Sequence, residues 1–343
     1  MVGPPIQGDL IDIMLRFRQY RYVACADIAK MYRQCLVAED QRDLQLILWR
    51  DEPTQPISIY KLRTVTYGLA SSAFLSVRCL KQLAVESTDP DVQRVINCDF
   101  YVDDMVTGLD DKNDLLKLCT NVSNTLQSGC FPLRKWIYNF VPDDSSYDQQ
   151  SDYKSFNDNN NDNHRTLGIG WSPISDEFHF NTNYKNNENS ITKRTILSSV
   201  SQIFDPLGFL SPTIMQAKVL LQRLWLLKIS WDDELPNDVT QLWVRFVSSL
   251  PILDKIRIPR HAIGINPKFI ECHVFVDASQ SAYGTCIYLR TISADNDNTP
   301  HSVTMRLLCS KGRVAPVKPV SIPRLELCGA LLGARLYTKT QMT

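Results

Sequence analysis

The alternation of apolar and polar positions divides the first 140 residues into short strands and amphipathic helices. A helix is predicted from Asp9 to about Gln19, after Pro4-Pro5. The apolar run Tyr22-Val23-Ala24-Cys25-Ala26 predicts a strand that stops at Asp27, with a short turn through Tyr32. Strand-like segments recur at Leu44–Trp49 and Ile57–Leu62. Ser71 and Ser72 are N-cap candidates for a helix through Phe74, Val77, Leu80 and Ala84. The β-prone run from Val95 to Phe100 predicts a strand closed by Tyr101-Val102-Asp103-Asp104. Beyond it, Leu115, Leu118, Cys119, Val122 and Leu126 keep helical spacing and give one buried face. Mixed strands with covering helices predict an α+β sheet domain.

The texture then changes twice. Residues 143–190 are poor in apolar side chains and rich in Asn, Asp and Ser, which predicts disordered loops at 143–165 and 181–190 around an ordered island, Thr166–Trp171. From Ile191 the pattern is helical. Ile196, Leu197, Val200, Ile203 and Phe204 share a face that ends at Asp205-Pro206-Leu207-Gly208. Ser211-Pro212 predicts an N-cap with proline at the first helical position, and Val239 to Leu250 gives a third helix. Lys255–Lys268 reads as a basic linker with spaced prolines. A strand from Cys272 to Val276 ending at Asp277, strands at Tyr283–Leu289 and Val303–Cys309, and a helix from about Pro323 carrying Glu326 complete the pattern.

Composition is that of an ordinary globular chain, with 44% hydrophobic and 22% charged residues among 343. No apolar run approaches the roughly 20 residues of a membrane span. The ten cysteines have no C-x-x-C pair and no zinc-like spacing, so they predict free thiols of a reducing compartment, cytoplasm or nucleus. The net charge of zero conceals a division. Residues 85–190 hold 18 acids against 8 bases, whereas the flanking segments are mildly basic. Basic flanks suit a phosphate backbone without demanding one.

The candidate chemistry lies in the acids. Asp27 and the Asp103-Asp104 pair, 76 residues apart, each end an apolar run. Brought together, they would make a cage of hard oxygen ligands suited to Mg²⁺. Two such ions could serve phosphoryl transfer. Taken alone, adjacent acids more often cap a turn or a helix.

Ala26-Asp27-Ile28-Ala29-Lys30-Met31-Tyr32 resembles motif A of retroelement reverse transcriptases. Tyr67–Phe74 resembles motif B, Tyr101–Asp104 motif C, Gly129–Trp136 motif D, and Leu167-Gly168 the primer-grip motif. Their wording, with Ser201–Gly208 downstream, is most similar to the Pol polyprotein of BEL/Pao-type LTR retrotransposons. Phe275–Ser279 and Arg324–Leu327 resemble the start of a linked ribonuclease H domain. The motifs follow the family's order over almost the whole chain.

The resemblance implies a right-hand polymerase. Partial fingers and a palm would span 1–182, a helical thumb or connection 190–260, and the first half of a ribonuclease H-like α/β domain 268–343. Asp27, Asp103 and Asp104 would be catalytic and hold two Mg²⁺ ions. Tyr32, Tyr67, Gly68 and Lys135 would bind the nucleotide, with Tyr32 as a steric gate against a 2′-hydroxyl. Leu167 and Gly168 would grip the primer. Asp277 and Glu326 would form part of a ribonuclease H site. The plainer alternatives are a core tyrosine at Tyr32, a β-turn at Tyr67-Gly68, a surface lysine at Lys135 and a simple hairpin at Leu167-Gly168. Implied partners are an RNA or DNA template with its primer, deoxynucleoside triphosphates and the remainder of the polyprotein, with no membrane. Such a chain would be a retroelement-particle or nuclear protein and a fragment of a longer polyprotein. An inactive remnant that at most binds nucleic acid is the rival. An aspartic peptidase would need Asp-Thr-Gly or Asp-Ser-Gly, and neither triplet occurs.

Overall fold

Helix α1 (Leu10–Phe17) opens the chain and its residues are divided between two units. Met1–Ile13 and Tyr22–Asp158 form the first, and Met14–Arg21 with Asn159–Thr343 the second. The computed structural model describes residues 2–142, 164–181, 191–293 and 302–342. The loops expected at 143–165 and 181–190 thus fall mostly outside the described residues, although His164 already begins a strand.

The first unit is built on strand β1 (Tyr22–Ile28). A short helix α2 (Met31–Gln34) and an exposed hairpin, β2 (Leu46–Trp49) with β3 (Ser58–Lys61), follow. Then come α3 (Ser72–Glu86), α4 (Pro90–Cys98), β4 (Phe100–Tyr101), β5 (Asp104–Leu109), α5 (Lys112–Ser128) and β6 (Leu133–Tyr138). The sheet is antiparallel in the order β4-β5-β1-β6. The inward face of α5 is the one its spacing predicts, with Leu115, Val122 and Leu126 wholly buried in a core shared with Ala24, Ile28 and Met105.

The strand expected from Val95 does not form. Val95–Cys98 is the last turn of α4 rather than strand. Asp89 caps that helix by accepting the Asp91 and Val92 N–H groups, and Pro90 fits its first turn, so local capping outweighs β-propensity. Only Phe100-Tyr101 of that run is extended, and Asp103-Asp104 follow it at a hairpin into β5.

In the second unit, β7 (His164–Thr166), β8 (Ile169–Ser172) and β9 (Glu177–His179) form a meander. Helices α6 (Lys193–Ser201), α7 (Ser211–Leu226) and α8 (Asn237–Ser249) pack around Ile196, Leu224, Val239 and Trp243. Leu210, not Ser211, is the cap of α7, so Pro212 lies one position deeper in its first turn. Strand β10 (Arg257–Pro259) adds to β9, giving the order β10-β9-β8-β7. The expected linker is therefore part of a sheet. A second meander, β11 (Pro267–Ala278), β12 (Ala282–Ser293) and β13 (Val303–Val314), carries α9 (Ile322–Gln341) against β11 and β12.

Two arginines explain why that linker is ordered. Arg260 is fully buried, and its guanidinium meets both oxygens of Asp176 at 2.6 and 2.8 Å. It also donates to the carbonyls of Phe17, Tyr20 and Arg21. Arg18, equally buried, donates to the carbonyls of Pro259, Arg260, Leu307 and Leu308 and lies over the Phe209 ring. Burial pulls the Arg18 pKa down to about 9.

Candidate active site

The acids of the first unit meet where β1, β5 and β6 adjoin. Asp27, the penultimate residue of β1, pairs directly with Asp104, the first of β5. The Ile28 N–H donates to the Asp103 carbonyl at 2.9 Å. Asp103 lies in the two-residue turn between Tyr101 and Asp104, and its partner Val102 is left-handed, with φ 58°. A β-branched residue seldom adopts that conformation.

Lys135 reaches the same place through a second irregularity. The register of β1 against β6 shifts between Cys25 and Asp27, and Lys135 has φ 56°. Such a bulge re-aims a side chain. Its ammonium lies 2.9 Å from Asp27 Oδ2. A third left-handed residue, Lys30 at φ 53°, precedes α2 and turns the chain toward Tyr32. Strained backbone of this kind gathers at functional sites.

The electrostatics follow from the crowding. Burial, then Asp103 and Asp27, push the Asp104 carboxyl up to about 6. Asp103 is also raised, chiefly by burial, with Asp27 adding to it. The hydrogen bond to Asp27 raises Lys135. One ammonium thus faces three carboxylates, and the excess negative charge is what a divalent cation would relieve. The donor set is all hard oxygen and fits Mg²⁺, which binds through one or two carboxylates plus water and phosphate oxygens. A protein cage of three or more ligands does not occur among the described residues.

Tyr32 and Tyr67 meet edge to face, with ring centroids 5.2 Å apart. Burial, then Asp103 and Tyr67, raise the Tyr32 hydroxyl pKa, which puts this ring beside the acids. Gly68 has φ 82° and open space around it, in a turn before α3. The Ser72 hydroxyl secures that turn by donating to the Thr66 carbonyl.

Other residues are placed elsewhere. Leu167 and Gly168 belong to the second unit and form the β7–β8 turn, both with positive φ (51° and 86°), as a type I′ hairpin demands. Asp277 accepts the Ala278 N–H at the end of β11. Glu326 is half-buried one turn before Gly329, where α9 packs closely on Val276.

Sequence reasoning passed over Asp99 as one acid among many. It is buried and accepts from Thr107 Oγ1 at 2.8 Å and Arg94 at 3.1 Å, tying α4 to β5 below the hairpin. An acid inside an apolar run was its only signal.

The fold is similar to that of solved foamy viral proteins. One is a foamy viral protease–reverse transcriptase in complex with an RNA/DNA hybrid, at a TM-score of 0.57 and 12% identity, covering 98% of this chain and 39% of that one. Two further foamy viral structures behave alike. A form described as dRH with double-stranded DNA gives 0.59, 13% identity, and coverage of 97% and 50%. A complex with double-stranded DNA gives 0.58, 12% identity, and coverage of 97% and 60%. The chain therefore spans less than two thirds of each of these proteins. No curated protein sequence matches it. Residues 192–343 match the Pao retrotransposon-like RNaseH-like domain. That match gives residues 192–343 to the Pao retrotransposon-like family, and the fold of the chain is similar to that of the foamy viral proteins.

Proposed function

We propose that the first unit is the palm of an RNA-directed DNA polymerase, and that the helices after Ile191 serve as its thumb or connection. The observation that carries this is the pairing of Asp27 with Asp104 beside the Asp103 turn, with Lys135 bonded to Asp27. When bound, two Mg²⁺ ions would hold the triphosphate and lower the barrier to attack by the primer 3′ oxygen. Asp27, Asp103 and Asp104 would supply the ligands, and a bound cation would draw down the raised pKa of Asp104. Lys135, bonded to Asp27, would neutralise or protonate the departing pyrophosphate. Tyr32, braced by Tyr67, would crowd a ribose 2′-hydroxyl. Leu167 and Gly168 are proposed to hold the primer strand, and Asp277 and Glu326 to contribute to hybrid cleavage.

The foamy viral relatives were captured on RNA/DNA hybrid and duplex DNA, which supports a primed template as partner of this chain. Templated extension of a labelled primer tests the reading. Extension should need Mg²⁺ and disappear in Asp103→Asn. Tyr32→Val should admit ribonucleotides while leaving deoxynucleotide incorporation within a few-fold. A chain that binds duplex but never extends it, in any divalent metal, would be the inactive remnant instead.

A further inference from the structure

The hairpin that carries Asp103 and Asp104 has an exposed weakness. Strand β4 is two residues long and lies at the edge of its sheet. An edge strand leaves a row of backbone groups without strand partners. Gln7 meets that row. Its Nε2 donates to the Phe100 carbonyl at 2.8 Å, and its Oε1 accepts the Val102 N–H at 3.0 Å. One side-chain amide thus supplies the donor and the acceptor that a further strand would supply. The amide orientation is fixed by its partners, because the carbonyl needs a donor and the N–H an acceptor.

Val102 is where such support matters. It holds φ 58°, unfavourable for a β-branched side chain, and the next residue is Asp103. Such strain persists only when the surroundings over-determine it. Relaxation of Val102 would rotate the peptide joining it to Asp103 and move that carboxylate away from Asp27. Asp99 fixes the base of the hairpin through Thr107, and Gln7 fixes its tip.

We infer that Gln7 is a positioning residue: its amide stands in for a missing strand and holds the Val102 turn so that Asp103 and Asp104 face Asp27. The cation-binding consequence rests on the polymerase reading above; the hold on the turn does not.

The test uses the full chain in three forms, wild type, Gln7→Met and Gln7→Glu, with Asp103→Asn as reference. Methionine keeps the length and loses both bonds. Glutamate keeps an acceptor for Val102 and loses the donor to Phe100. Hydrogen exchange over Phe100–Asp104 should accelerate roughly tenfold in Gln7→Met, in line with the modest net worth of the two hydrogen bonds lost. Exchange in β1 and α5 should stay unchanged. In Gln7→Glu the Val102 amide should regain most of its protection. Mn²⁺ affinity, read by water-proton relaxation, should fall about three- to tenfold in Gln7→Met and vanish in Asp103→Asn. Unchanged exchange in Gln7→Met would overturn the inference. Equal acceleration in β1 and α5 would also overturn it, since Gln7 would then be only a general stabiliser. If Asp103→Asn binds Mn²⁺ like wild type, the metal reading fails, and local exchange still decides the role of Gln7.

Discussion

Arg260→Met would test whether the buried arginines hold the second unit together. Methionine keeps the chain length but not the fork that meets Asp176 at 2.6 and 2.8 Å and the carbonyls of Phe17, Tyr20 and Arg21. The Asp176 side chain is only 25% exposed and Arg260 not at all. Removing one partner of a buried pair costs about 3–5 kcal/mol, because the other charge stays behind. Three carbonyls losing a charged donor push the figure to the upper end. In a unit of this size each kcal/mol moves the midpoint about 2–4 °C, so scanning calorimetry should show a fall of roughly 10–15 °C. Asp176→Asn added to Arg260→Met should recover part of the loss by removing the orphaned charge. A fall of under about 3 °C in Arg260→Met, on the same scaling, would refute the assignment of stability to this cluster. So would a double variant less stable than the single.

Further outcomes follow from other residues. At Val102, glycine should be more stable than alanine by about 1 kcal/mol, since only alanine pays for a left-handed φ; urea titration of both variants checks it. Gly208→Ala should cost more than about 2 kcal/mol, because φ is +78° and a Cβ would collide with the Ser310 backbone; thermal melting reads the loss. The Asp104 carboxyl titrates near 6 when folded, above its usual value near 3.8. The folded chain therefore holds this proton more tightly than the unfolded one, and its contribution to stability falls as pH rises from about 4 to 6. Asp104→Asn should flatten that part of the profile relative to wild type. Lys135→Met should raise the Asp104 pKa further, as a carboxyl titration followed by NMR would show.

The sequence made legible whatever is periodic or motif-borne. The buried face of α5, the meander of β11 to β13 and the meeting of Asp27 with Asp104 all follow from spacing and strand-end acids. Contributions made by single polar side chains across long separations were not legible. Gln7 reaches Val102 across 95 positions, and Arg260 reaches Phe17 across 243. Neither leaves a periodic trace, and an isolated arginine between prolines reads as a linker. The helix at Val95 was hidden for another reason. Its residues favour strands, and only the Asp89-Pro90 start shows that a cap decides the matter.

The placement of Met14–Arg21 in the second unit bears on how this chain can be made and divided. During synthesis these eight residues leave the ribosome early, yet their anchoring arginine and the carbonyls around it are about 240 residues away. At the 5–20 residues per second typical of translation, that delay is on the order of 10–50 s. Until then Phe17 has no Trp171 ring to meet and Arg18 has no carbonyl cradle. Excision carries the same penalty. A recombinant piece covering only 192–343 would lack both Asp176 and the Phe17–Arg21 segment, leaving Arg260 a charge with neither its carboxylate nor those carbonyls. A cut drawn along the linear sequence would therefore part what the fold has stitched, whereas co-expressing the early segment with the later piece would restore the seam.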